Sequence, residues 1–130
     1  MKTPRQKLEK KLDNITMQIV RLRDKNTCQH CGKTCFGSNA HKSHVKSKGA
    51  YPHLKFDLQN LKLLCYHCHI NWWHHEPTEA GLWFKKEFPD RYKYLEKAKK
   101  IKTHYSVADL EEMYENYKQI LDVMSTSSWP

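Results

Sequence analysis

Two C-x-x-C pairs, Cys28 with Cys31 and Cys65 with Cys68, limit what this chain can fold into more than any other feature. A C-x-x-C turn presents two thiolates to one ion, and two such turns make a closed tetrahedral site. The stretch between the pairs is long enough for a hairpin, so a zinc on Cys28, Cys31, Cys65 and Cys68 would close that stretch into a braced loop. Four thiolates leave no open coordination position, and the zinc is therefore expected to be structural. A redox dithiol would need only one pair, in a thioredoxin-like βαβ context that the sequence lacks. Cys35, the fifth cysteine, reads as an incidental or structural thiol.

A staple of this kind suits the composition. With 130 residues the chain fits one domain, and its central part is too polar to supply a large core. Lys and Arg outnumber Asp and Glu by 23 to 14, for a net charge of +9 and an isoelectric point near 9.3. An anionic polymer is the natural partner, and nucleic acid leads the candidates. No apolar stretch reaches the roughly 20 residues of a membrane span, and no apolar core follows the basic segment Met1 to Lys11, so a non-secreted, cytoplasmic protein without a membrane partner is expected.

Periodicity divides the chain. Thr3-Pro4-Arg5-Gln6 combines an N-cap, a first-turn proline and a capping-box Gln, followed by Leu8, Leu12, Ile15, Ile19 and Leu22 at helical spacing. The first helix is expected over 1–25; its stripe also suits a coiled coil, which leaves a homodimer open. From 26 to 76 helical periodicity disappears, Leu61 to Leu64 reads as a strand, and Pro77 stops the helix that carries Cys68 to His75. Residues 77–124 read as C-terminal helices: one from about Thr78 to Phe88, a basic one from Pro89 with Arg91, Lys97 and Lys100, and an acidic one opened by the capping pattern Ser106 to Asp109. Residues 125–130 read as a disordered tail. The fold class expected is α+β in a single domain, 1–124.

The chemistry concentrates in the loop between the cysteine pairs. His44 stands near the end of an expected first strand, Asn60 precedes the second, and His69 directly follows Cys68. This order resembles the HNH motif of ββα-metal endonucleases over residues 28 to about 75. The resemblance implies that His44 is the general base that deprotonates water, that Asn60 hydrogen-bonds the backbone around it, and that His69 binds a catalytic divalent ion such as Mg²⁺. HNH enzymes usually place a metal-binding Asp or His immediately before the base, and here that position is Ser43; His41 and His74 are the nearby residues that would complete the metal site. Lys42, Lys46 and Lys48 beside the base, with Lys97 and Lys100 on the basic helix, are expected to hold phosphates. An unperturbed imidazole protonates near pH 6.5, so cleavage should fall below that pH. Trp72 and Trp73 fit a wall of the small core around the zinc better than base stacking.

A narrower resemblance is carried by Ile19 to Asp24, the first cysteine pair, Ser43-His44, Lys48 to Pro52, Leu54 to Asp57, Asn60 and the helix from Ser106 to Leu121. Together these are similar to the NinG (Rap) family of phage recombination proteins. That resemblance implies a nuclease acting on branched DNA in a phage-infected bacterial cell. The competing expectation is a non-catalytic, zinc-dependent nucleic-acid-binding module. Such a module needs the basic surface, but not a base, an orienting amide and a ligand in register. A partner-binding adaptor using the acidic last helix is compatible with either.

Overall fold

The computed structural model describes residues 1–127. Helix α1 spans Pro4–Arg23, and Thr3 and Gln6 form the expected reciprocal cap: Gln6 N donates to Thr3 Oγ1 at 3.1 Å and Thr3 N to Gln6 Oε1 at 2.9 Å. Helix α4 (Val107–Ser127) opens in the same way, with Asp109 N donating to Ser106 Oγ and Ser106 N to Asp109 Oδ2. It runs through Ser127 and so takes in the start of the stretch expected to be a disordered tail; 128–130 lie outside the described residues. Its Met113, Tyr114, Tyr117, Leu121 and Met124 pack on Leu8, Leu12, Ile15 and Ile19, so neither helix stripe needs a second chain to be covered. Leu22, the last residue of the α1 stripe, is exposed.

Strands β1 (Ala40–His44) and β2 (Leu61–Cys65) pair antiparallel, with His44 opposite Leu61, Ser43 opposite Lys62 and Ala40 opposite Cys65. All five residues of β2 are buried, because α1 covers one face of this two-stranded sheet and the segment after β2 covers the other. That segment, His67–Trp73, is wound as a π-helix, and His74 N donates to His69 O five residues back. Helices α2 (Pro77–Glu87) and α3 (Pro89–Ala98) follow, and Phe84 and Leu95 meet Leu54 in a separate small core. Trp72 and Trp73 pack against the core formed by the cysteines and β2, as expected of wall residues. Arg91 is not displayed outward on α3: its guanidinium donates to Gln59 O and Leu61 O at 3.1 and 2.8 Å.

The carboxyl end of α1 is fastened to β2 by one acidic group. Asp24 Oδ2 accepts the buried Leu63 amide at 2.9 Å, while Arg23 bonds the Asp24 carboxylate and donates to Leu58 O and Leu61 O. Asp24→Ala should therefore cost at least the ~1–3 kcal/mol of an orphaned buried donor. Leu22→Ala, on the exposed flank of the same helix end, should stay within about 0.5 kcal/mol. Urea unfolding measures both, and equal midpoints for the two variants would refute the tie.

Candidate metal centre and active-site cavity

The expected cysteine quartet is assembled. Ligand atoms of Cys28, Cys31, Cys65 and Cys68 lie within 4.8 Å of one another, and none is in a disulfide. Cys31 Sγ and Cys65 Sγ are 3.8 Å apart, close to the roughly 3.8 Å edge of a tetrahedron with Zn–S bonds of about 2.3 Å. Burial pushes the Cys28 thiol up, but backbone amides of Cys31, Cys65 and His30 outweigh it and bring the group down to about 7. Burial first, then the neighbouring thiols, raise Cys31 and Cys68. Four crowded sulfurs cannot all ionise without a compensating cation, and a tetrahedral dication resolves the conflict. The donor set thus fits a structural zinc. Cys35 is buried beside the quartet but is not part of it.

His44, Lys42, Lys46, Lys48, His69, Trp73 and His74 line one cavity of about 900 Å³, bounded by Asp13 from α1 and by Phe84 and Tyr92 from α2 and α3. His44 Nε2 lies 3.0 Å from Lys55 O; a carbonyl only accepts, so Nε2 carries the proton and Nδ1 remains the ring's acceptor. Burial, joined by the charges of Lys42, Lys48 and Lys62 and opposed by the Lys55 carbonyl, lowers the His44 pKa to about 4. The fully buried Asn60 accepts Lys46 N through Oδ1 at 2.7 Å and donates through Nδ2 to Lys46 O and Leu54 O, each at 3.0 Å. One amide therefore fixes the backbone just after His44 and the loop that supplies the imidazole's acceptor.

His69 sits between two other histidines. Its Nδ1 is 2.9 Å from His41 Nδ1, and its Nε2 is 3.1 Å from His74 Nε2. His41 Nε2 must donate to Ser38 O at 3.0 Å, so neutral rings satisfy the row if His69 donates through Nδ1 and accepts through Nε2. His69 meets each neighbour through a different nitrogen, and these three do not converge on one point as the cysteines do. Burial and the neighbouring His74, His41 and Lys62 lower its pKa to about 4. Ser43 is fully buried, and its hydroxyl accepts from Lys62 Nζ at 3.0 Å, so an amine whose pKa burial pushes well down already occupies the neighbourhood of this expected metal ligand.

The lysines divide as well. Lys42 donates to Asp13 O and Thr16 Oγ1, and Lys46 pairs with Glu96 at 2.5 Å, so the two lysines that flank His44 in sequence are engaged within the protein. Lys48 is exposed on the cavity rim. Lys97 lines a different cavity with His53 and Tyr94, and Lys100 is exposed beyond the end of α3; neither lines the His44 cavity.

Two residues of the site carry no flag in sequence. Lys62, inside the apolar run of β2, is fully buried with its Nζ 3.2 Å from the centroid of the Trp73 ring. Its placement opposite Ser43 follows only from the strand register. His30, within the first cysteine turn, stacks on Trp72 at 3.5 Å and brings Nδ1 to 3.3 Å from Cys68 Sγ. The spacing of a cysteine turn shows that such a residue is near the sulfur cluster, but not which way its ring faces. His53 Nε2 donates to Ala98 O at 3.0 Å, a contact within the scaffold.

Fold and site together define a mixed helical protein whose small two-stranded sheet is braced by a four-cysteine cluster suited to zinc. The chain belongs to the family described as Bacteriophage Lambda NinG protein, whose family model matches residues 1–126. No match was found among curated proteins or among solved structures. Among the described residues no helix is long and apolar enough to cross a membrane.

Because binding of a structural zinc is coupled to folding, Cys28→Ser or chelation should unfold the hairpin. Native mass spectrometry should find one zinc per chain before chelation and none after, with loss of amide protection in β1 and β2. Unchanged protection in the stripped protein would refute the bracing role.

Proposed function

We propose that this protein is a metal-dependent DNA endonuclease of the HNH kind, with His44 as general base. The observation that carries the reading is the state of His44: a neutral imidazole with Nε2 held on Lys55 O, Nδ1 left to accept, and both supporting segments fixed by Asn60. A half-buried ring whose pKa is brought down to about 4 is neutral at neutral pH, with its Nδ1 lone pair available to a water proton. On this reading the hairpin β1–β2 and the segment His67–Trp73 are a ββα-metal finger. His69 is the first candidate ligand for a catalytic divalent ion, with His41 or His74 beside it, and Ser43 drops out because it bonds Lys62. Such an ion, when bound, supplies positive charge for the leaving oxygen. Lys48 is the lysine best placed to meet a phosphate at the rim, whereas Lys42 and Lys46 act by shaping the wall. Membership of a phage recombination family supports branched DNA as the substrate.

The depressed His44 pKa moves the expected pH limb. With the base neutral down to about pH 4, cleavage should hold through pH 6.5 and fall only as pH approaches 4. His44→Ala should keep zinc content and DNA affinity while lowering cleavage of plasmid and of a four-way junction about 10²- to 10⁴-fold. His69→Ala should be partly rescued by more Mg²⁺ or Mn²⁺, as expected for a lost ligand. A His44→Ala protein cutting at the wild-type rate would remove the assignment, and a wild type that binds DNA but cuts neither substrate would favour the zinc-dependent binding module.

A further inference from the structure

The loop from Lys46 to Asp57 has an outer wall as well as the inner one that carries the acceptor for His44. Together with the start of α1 and the linker ahead of α4, the outer wall encloses two clefts of about 290 and 440 Å³, which share Arg5, Pro52, His53 and Tyr105. The first cleft shares Lys48 and Gly49 with the His44 cavity, so the three hollows follow one another over the surface. The charged groups along the two clefts are Arg5, Lys48, Lys55 and Lys102 against the single carboxylate of Glu9.

We propose that this path is a binding track for the phosphodiester backbone of DNA, leading away from the His44 cavity. The direction assigned to it rests on the nuclease reading, although the binding itself does not. A concave, cation-lined path joined end to end with a larger cavity suits a linear polyanion rather than one small anion. Its walls are already in place: Tyr51 N donates to Ser47 O, Lys55 N to Pro52 O, His53 to Ala98 O and Arg5 Nη1 to Tyr105 O, so little order has to be created on binding. Glu9 lies 3.3 Å from Arg5 Nε and 3.8 Å from Lys55 Nζ. It holds the two cations side by side and screens part of their charge. This gives the track a signature of opposite signs, since removing lysines must weaken binding whereas removing the carboxylate must strengthen it.

The test uses the full chain carrying His44→Ala, so that DNA is not consumed, with fluorescence anisotropy on a labelled duplex over a series of salt concentrations. Lys55→Gln with Lys102→Gln should lower affinity several-fold and reduce the slope of log affinity against log salt by about 2, near 0.9 for each phosphate that is no longer neutralised. Glu9→Gln should raise affinity, and Lys118→Gln on α4 should change neither quantity. Thermal melts verify that each variant is folded. An unchanged slope in the double variant, or a loss of affinity in Glu9→Gln, overturns the track. If wild-type protein cuts no DNA with any divalent ion while the double variant still loses slope, the nuclease reading fails and the track stands. If wild type cuts and the slope is unchanged, the reverse holds.

Discussion

Repulsion among four sulfurs is the constraint on which the rest of this structure depends. Cys28, Cys31, Cys65 and Cys68 are drawn into one cluster, and only a multivalent cation makes that cluster favourable once the thiols ionise. The cluster joins the turn after α1 to the end of β2, two points far apart in sequence. Everything between them, including β1, His44 and the loop to Asn60, hangs on that closure. The apolar core around it is thin: Val20, Ala40, Leu61, Leu63 and Leu64 with the cysteines themselves, walled by Trp72 and Trp73. The larger apolar interface, between α1 and α4, lies elsewhere and serves as a platform.

On this brace a single buried amide does much of the local positioning. Asn60 satisfies its oxygen and both of its donor positions with backbone groups, which a carboxylate or an aliphatic residue of similar size could not do. The result is a ring nitrogen presented with its tautomer already fixed. Tyr117 adds support from the far side, its hydroxyl donating to Phe56 O, so α4 also reaches the loop that carries Lys55.

What could be read in the sequence follows from how local each signal is. The cysteine quartet, both capping boxes and the α1 stripe rest on spacings of three or four residues and are found where such spacings place them. The pairing of His44 with Lys55 O, and of Ser43 with Lys62, depends on loop geometry and strand register, which no local pattern encodes. Charge was the least legible property. Lys42 and Lys46 look like phosphate ligands in the sequence but fold inward onto Thr16 and Glu96, and Arg91 of the basic helix turns onto backbone carbonyls. The Lys48 to Asp57 segment, by contrast, marked a real structural unit, whose inner side orients the imidazole.

The winding of His67–Trp73 decides how many side chains this short segment can set against the hairpin. His69 and His74 meet because the wide winding, with hydrogen bonds five residues apart, brings these positions near one face; in an ordinary α-helix the same two positions would be rotated about 140° apart. A wider turn holds one residue more than an α turn. Deleting one residue between the two histidines would leave a spacing of four, which regular winding also stacks on one face, so the pair does not by itself require the wide turn. The extra residue instead makes room for two adjacent indoles with separate duties, Trp72 against His30 and Trp73 over Lys62. Removing one residue from this turn should therefore cost one of the two indole contacts while still letting the two histidines meet.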